Sequence, residues 1–183
     1  AHAIYRLKKE FRLVQDLQHE NLVALGALVE DEGTWFFTME LLEGVDFRSY
    51  VRNESPSAAD ERTDRDSSPC YDEARLRDAL GQLLRGLDVL HVHDFVHRDV
   101  KPSNVMITPE GRTVLLDFGL ATAVGASLQS VGDHVVGTAH YMAPEQAASR
   151  TVTARADMYA VGVMLYEALT GKPPFDGNML TLL

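Results

Sequence analysis

Between His97 and Asn104, five side chains bearing ionisable or amide groups (His97, Arg98, Asp99, Lys101 and Asn104) fall within eight positions, in an otherwise apolar context. Upstream, Leu76, Leu80, Leu83, Leu84, Leu87 and Leu90 recur at helical spacing through Tyr71 to His91, which predicts a long and largely buried helix. Downstream, Val105 to Thr108 and Thr113 to Leu116 are short β-type runs. They are joined by Pro109, Glu110 and Gly111, where proline presets φ and glycine tolerates a tight turn. Any fold for this chain must therefore hold a polar loop between a buried helix and a pair of short strands.

The remaining segments divide by the same criteria. Leu7, Phe11, Val14 and Leu17 recur three or four apart from Tyr5 to Leu17, an amphipathic helix expected to end before His19. Leu22 to Val29 and Thr34 to Leu42 are expected to be two strands of a hairpin, joined by a turn at Glu30, Asp31, Glu32 and Gly33. Arg52 to Pro69 contains no large apolar residue, so a mobile insertion at about 52–70 is expected there. Ala154 to Thr170 reads as a helix buried on most faces, stopped by Gly171 and by Pro173 and Pro174.

With 183 residues and 45% hydrophobic content, the chain can bury one sizeable core, divisible into a small and a large lobe. Seventeen basic residues against twenty-seven acidic ones give a net charge of -10, without the basic stripe or stacking aromatics that nucleic acid requires. The longest apolar run, around Met158 to Leu165, is shorter than the roughly 20 residues of a spanning helix, so no membrane segment is expected. Cys70 is the one cysteine and cannot form an internal disulfide. His91, His93, His134 and His140 have no partner at ligand spacing, so they read as structural rather than zinc-binding.

A carboxylate, an ammonium and an amide oxygen in one short loop suit phosphoryl transfer. The carboxylate orients a hydroxyl and accepts its proton, the ammonium neutralises the migrating group, and the amide oxygen holds a metal. The plainer alternative is a polar loop. Thirteen residues past Asn104, a strand ends in Asp117, Phe118 and Gly119. Asn104 and Asp117 together offer the hard oxygen ligands that magnesium takes alongside phosphates.

HRDVKPSN at 97–104, DFG at 117–119 and APE at 143–145 together resemble the protein kinase superfamily, in order and in spacing. The resemblance implies an α+β, protein kinase-like fold, with a partial small lobe over 1–42 and a mostly helical large lobe over 43–183. It implies Asp99 as catalytic base, Lys101 as phosphate contact, and Asn104 and Asp117 as magnesium ligands. Arg98 would bind an activation-loop phosphate carried by Thr122, Ser127 or Ser130. Lys101 within DVKPSN, and Thr138 within GTAHYMAPE, match the pattern of Ser/Thr rather than Tyr kinases. The implied cofactors are ATP and Mg2+, and the implied partner is a protein substrate bearing Ser or Thr.

The same resemblance assigns Glu10 to the regulatory helix, as partner of the ATP-anchoring lysine, against the simpler reading of a solvated surface Glu. Met39 falls at the gatekeeper position, Glu40, Leu41 and Leu42 at the adenine-binding hinge, and Met106 in the nucleotide site. Asp46 matches the ribose-contacting acid, and equally reads as an N-cap for the next helix. Val14, Leu25, His97 and Phe118 would stack as a column between the lobes, making His97 a packing residue. Asp157 would cap backbone amides of the catalytic loop, and Glu145 would pair with an arginine beyond the last residue.

No GxGxxGxV precedes Glu10, and the chain stops soon after GKPPFDG. From these gaps a chain truncated at both ends and feeble or inactive in isolation is expected, the alternative being a non-catalytic kinase-fold binding module. YMAPEQ and LTGKPPF resemble bacterial Ser/Thr kinases, soluble or receptor-like, which implies a cytoplasmic location, alone or as part of a larger membrane-anchored protein.

Overall fold

The computed structural model describes residue 8 and residues 11–53, 71–117, 139–148 and 151–175. The expected helix near the start is seen over residues 11–15, with Asp16 in a turn. It lies on an antiparallel hairpin of β1 (Leu25–Asp31) and β2 (Thr34–Met39). Three contacts join them. The Phe11 and Phe37 rings are 6.0 Å apart, Lys8 Nζ sits 3.9 Å over the Trp35 ring, and Gln15 Nε2 donates to Gly26 O at 2.8 Å. The hairpin turn places both Glu32 (φ 48°) and Gly33 (φ 83°) in the left-handed region, the backbone that matches strand twist.

Both strands are shorter than their apolar runs suggest. Leu22 and Val23 leave the hairpin: Leu22 bridges to Leu115, and Val23 N–H donates to Leu115 O at 3.0 Å. Both side chains are buried, so joining the larger core outweighs extending a two-stranded ribbon. The other run ends as strand at Met39, with Glu40 N–H still bonded to Ala24 O at 2.9 Å.

A second sheet of β3 (Val45–Asp46), β4 (Val105–Ile107) and β5 (Thr113–Leu115), antiparallel in that order, lies against the helices. Helix α1 (Phe47–Arg52) follows β3, with Asp46 as its N-cap, and α2 (Glu73–Val92) starts on Asp72. The short α3 (Pro144–Ala147) and the long α4 (Ala154–Thr170) complete the described elements. The pattern of α4 matches its predicted span, and Gly171, at φ 79°, closes it with an N–H to Glu167 O. Strand β3 was not legible, since two residues carry no periodicity, and α1 was legible only as the helix that Asp46 would cap.

The apolar faces of these elements form one contiguous cluster. Leu83 and Leu87 of α2, Phe47 of α1, Ile107 and Leu115 of the sheet and Met164 of α4 are among its members. Burying each such side chain contributes on the order of 1.5–3 kcal/mol. Arg52, assigned to the insertion, instead ends α1 and donates from Nη1 to Ala168 O at 2.9 Å, a cation at the negative end of α4. Asn53 closes α1 in the left-handed conformation at φ 53°; most of the remaining insertion lies outside the described residues. No helix among the described residues is long and apolar enough to cross a membrane.

Candidate active site

The loop that follows α2 is held from beneath by Asp157, in the first turn of α4 and 1% exposed. Its Oδ2 accepts the His97 N–H at 2.9 Å and its Oδ1 accepts the Arg98 N–H at 2.8 Å, the amide capping expected of it. A third partner was missed. His91 Nε2 is 2.8 Å from Asp157 Oδ2, so His91 is not the uninvolved residue that its sequence surroundings suggest. Its acid lies 66 residues away in the chain, where spacing rules do not reach.

His97 is fully buried and does more than pack. Its Nε2 lies 2.7 Å from Leu116 O, and its Nδ1 lies 3.3 Å from the Asp99 N–H. A carbonyl only accepts and an amide N–H only donates, so Nε2 carries the proton and Nδ1 is a bare acceptor. Burial pushes the His97 pKa below its ordinary 6.5 and so favours this neutral ring, outweighing the Leu116 bond and the nearby carboxylates. Val14 is buried and Leu25 packs on the core, while Phe118 lies outside the described residues.

Asp99 stands at the centre. Its Oδ2 accepts from Lys101 Nζ at 2.8 Å and from Asn104 Nδ2 at 2.9 Å, and its carbonyl accepts from the same Nδ2 at 2.8 Å. Those two acceptors fix the Asn104 amide orientation and turn its Oδ1 the other way. Asn104 ends a 3-10 turn over Pro102–Asn104, and its carbonyl accepts the Leu116 N–H at 2.8 Å. With Val105 paired to Leu115, this bond brings Asn104 and Asp117 to the same end of the β4–β5 hairpin. Asp117 is exposed and left-handed at φ 50°. Arg98 is also left-handed, at φ 69°, a backbone costing of order 1 kcal/mol or more that persists because Asp157 holds its N–H.

The described nucleotide residues expected from sequence fall on, and between, the two sheets. Met39 ends β2 and is 46% exposed, Leu42 packs on the core, and Asp46 pairs with Met106 across β3–β4. Both Asp46 oxygens are engaged, Oδ1 by the Ser49 N–H at 3.0 Å and Oδ2 by the Ser49 hydroxyl at 2.7 Å, so the N-cap reading describes it. The Glu40 side chain has a part that hinge logic did not foresee. It accepts from Arg112 Nη1 and Nη2 at 3.2 and 2.9 Å and from the Ala24 N–H at 2.9 Å, and Arg112 Nε reaches Glu20 O at 2.7 Å. Glu10, Thr122, Ser127, Ser130 and Thr138 lie outside the described residues.

A further buried acid escaped the sequence reading. Glu167 of α4 is 5% exposed, accepts from Arg48 Nη1 at 3.0 Å, and accepts from the Tyr141 hydroxyl. Burial and this carboxylate hold the Tyr141 hydroxyl well above its ordinary range, so it remains a donor. A single Glu inside an apolar helical pattern was the available signal, since such a residue is rarely buried without partners.

The chain belongs to the protein kinase family: the family profile described as "Protein kinase domain" matches residues 2–181. Among curated proteins it is similar to the probable serine/threonine-protein kinase PknB of Lactococcus lactis, 32% identical over 176 residues, 96% of this chain and 26% of that protein. It is likewise similar to serine/threonine-protein kinase PrkC of Bacillus subtilis, 32% identical over 175 residues, 96% of this chain and 25% of that one. Serine/threonine-protein kinase PknE of Mycobacterium tuberculosis is 34% identical over 178 residues, 97% of this chain and 29% of its own length. The chain thus spans about a quarter of the length of these relatives.

Proposed function

We propose that this chain carries the phosphoryl-transfer centre of a Ser/Thr protein kinase, with ATP as phosphate donor and a protein hydroxyl as acceptor. The observation that carries the reading is the state of Asp99, whose Oδ2 is held by Lys101 and Asn104 while Oδ1 takes no hydrogen bond from the described residues. A carboxylate braced on one oxygen and open on the other can orient an incoming hydroxyl and take its proton.

Lys101 neutralises charge on the migrating phosphoryl, and its bond to Asp99 keeps the two groups in register. Asn104 Oδ1 and the exposed Asp117 carboxylate are hard oxygen donors that would hold magnesium, which would supply positive charge to the phosphates when bound. Because such transfer is driven almost entirely by positioning and electrostatics, the bonds that fix this loop are the main contribution of the chain. DVKPSN and the serine/threonine kinase names of the relatives support an aliphatic hydroxyl as acceptor.

The test is phosphate transfer from ATP to a Ser/Thr-bearing protein, comparing the native protein with Asp99→Asn and with magnesium removed by chelation. Loss of about 10²–10⁴-fold is expected in the variant. Native transfer no faster than that of Asp99→Asn overturns the reading.

A further inference from the structure

The peptide group joining Arg98 to Asp99 is held at both of its polar atoms. Its nitrogen, the Asp99 N–H, donates to His97 Nδ1 at 3.3 Å, and its oxygen, Arg98 O, accepts from Gln146 Nε2 at 2.9 Å. Gln146 is the third residue of α3, and its Oε1 accepts the Ala143 N–H at 3.1 Å. That second bond fixes which way the amide faces, because only an acceptor can meet an N–H. The nitrogen is thereby aimed at the loop.

We infer that Gln146 is a positioning residue for Asp99, acting through the Arg98 carbonyl; the inference rests on the phosphoryl-transfer reading of the site. Arg98 sits at φ 69°, where its own preference would be to relax, and Asp157 restrains only its N–H. Gln146 restrains the other side of the residue. Rotation about the Arg98 Cα–C bond swings the Arg98 carbonyl and the Asp99 Cα together, and with them the carboxylate oxygen that meets the substrate hydroxyl. The cavity shared by Asp99, Tyr141, Met142 and Gln146 is ≈ 10 Å³, room for at most about one water, so these side chains pack closely on the inner side of a bond whose outer side is exposed. The arrangement also couples the loop to the segment bearing Tyr141 and Ala143: among the described residues, the Gln146 side chain links α3 to the peptide that precedes Asp99.

Gln146→Glu separates this role from local stability. The substituted side chain keeps an acceptor for the Ala143 N–H, and a negative charge in the first turn of a helix is favourable. Toward Arg98 O, however, it offers an oxygen instead of a donor. Expected for this variant are a thermal midpoint equal to or above the native one and a kcat lowered about tenfold, with KM for ATP unchanged. Amide exchange over residues 97–101 should accelerate while that over α4 does not. Native kcat in Gln146→Glu, or exchange over 97–101 unchanged from native, overturns the inference. If the native protein itself transfers no phosphate, the reading of the site fails, and the exchange measurement alone decides whether Gln146 holds the loop.

Discussion

His91 Nε2 stands 2.8 Å from Oδ2 of Asp157, so the end of one buried helix and the start of another meet on a single carboxylate. The same oxygen accepts the His97 N–H, and its neighbour accepts the Arg98 N–H. Removing that carboxylate strands two backbone donors at the root of the loop. Asp157→Ala is expected to cost about 2–5 kcal/mol, read from urea unfolding midpoints, and His91→Ala only about 1 kcal/mol. Equal costs for the two would mean that the amide bonds contribute nothing.

Tyr141 and Glu167 form a second buried link, between the residues preceding α3 and the last turns of α4. Tyr141→Phe leaves a carboxylate oxygen without its donor, while Arg48 still holds the other. The expected destabilisation is about 1–3 kcal/mol. In a spectrophotometric titration one tyrosine should ionise only as the protein unfolds, because burial and Glu167 hold its pKa high. Ionisation of every tyrosine near pH 10 in the folded protein would contradict this.

The Glu40 and Arg112 pair should be visible in acid. Hydrogen bonding from Arg112 holds the Glu40 pKa below its ordinary 4.5, against a smaller opposing effect of burial. A carboxyl more acidic in the folded than in the unfolded chain stabilises above the unfolded pKa, and that contribution vanishes as pH falls through the folded one. Glu40→Gln should therefore lose about 0.5–1 kcal/mol at pH 7, less at high salt, and nothing relative to native well below pH 4. A deficit that persists at low pH would assign the loss to packing instead.

Gly44 has no room for a side chain: a Cβ there would fall 2.3 Å from Ile107 O. Gly44→Ala must push residues 42–46 away from β4, at a cost of about 1–3 kcal/mol. Under the proposed function Leu42 and Asp46 border the nucleotide, so ATP affinity measured by calorimetry should fall together with the thermal midpoint. A variant with native stability would show that this segment yields freely.

Much of the architecture was legible because it is local. The α2 and α4 spans follow from periodicity, the β4–β5 turn from Pro109 and Gly111, and the polar loop from the density of its side chains. Departures occur where distant segments compete for the same backbone: residues 22–23 chose β5 over the hairpin, and Val45–Asp46 became a strand only because β4 lay beside it. Of the site, Asp99, Lys101 and Asn104 were expected and do converge, while the Arg112 contact to Glu40 and the Gln146 contact to Arg98 had no local signature.

The order and chemistry of the loop residues, the periodic helices and the turn chemistry are written in consecutive positions, because propensity and spacing act over a few residues. Which carboxylate holds which amide is not. Asp157 meets His97 across 60 residues and Gln146 meets Arg98 across 48. Only chain closure around a common core, burying groups that must then find partners, selects those pairs.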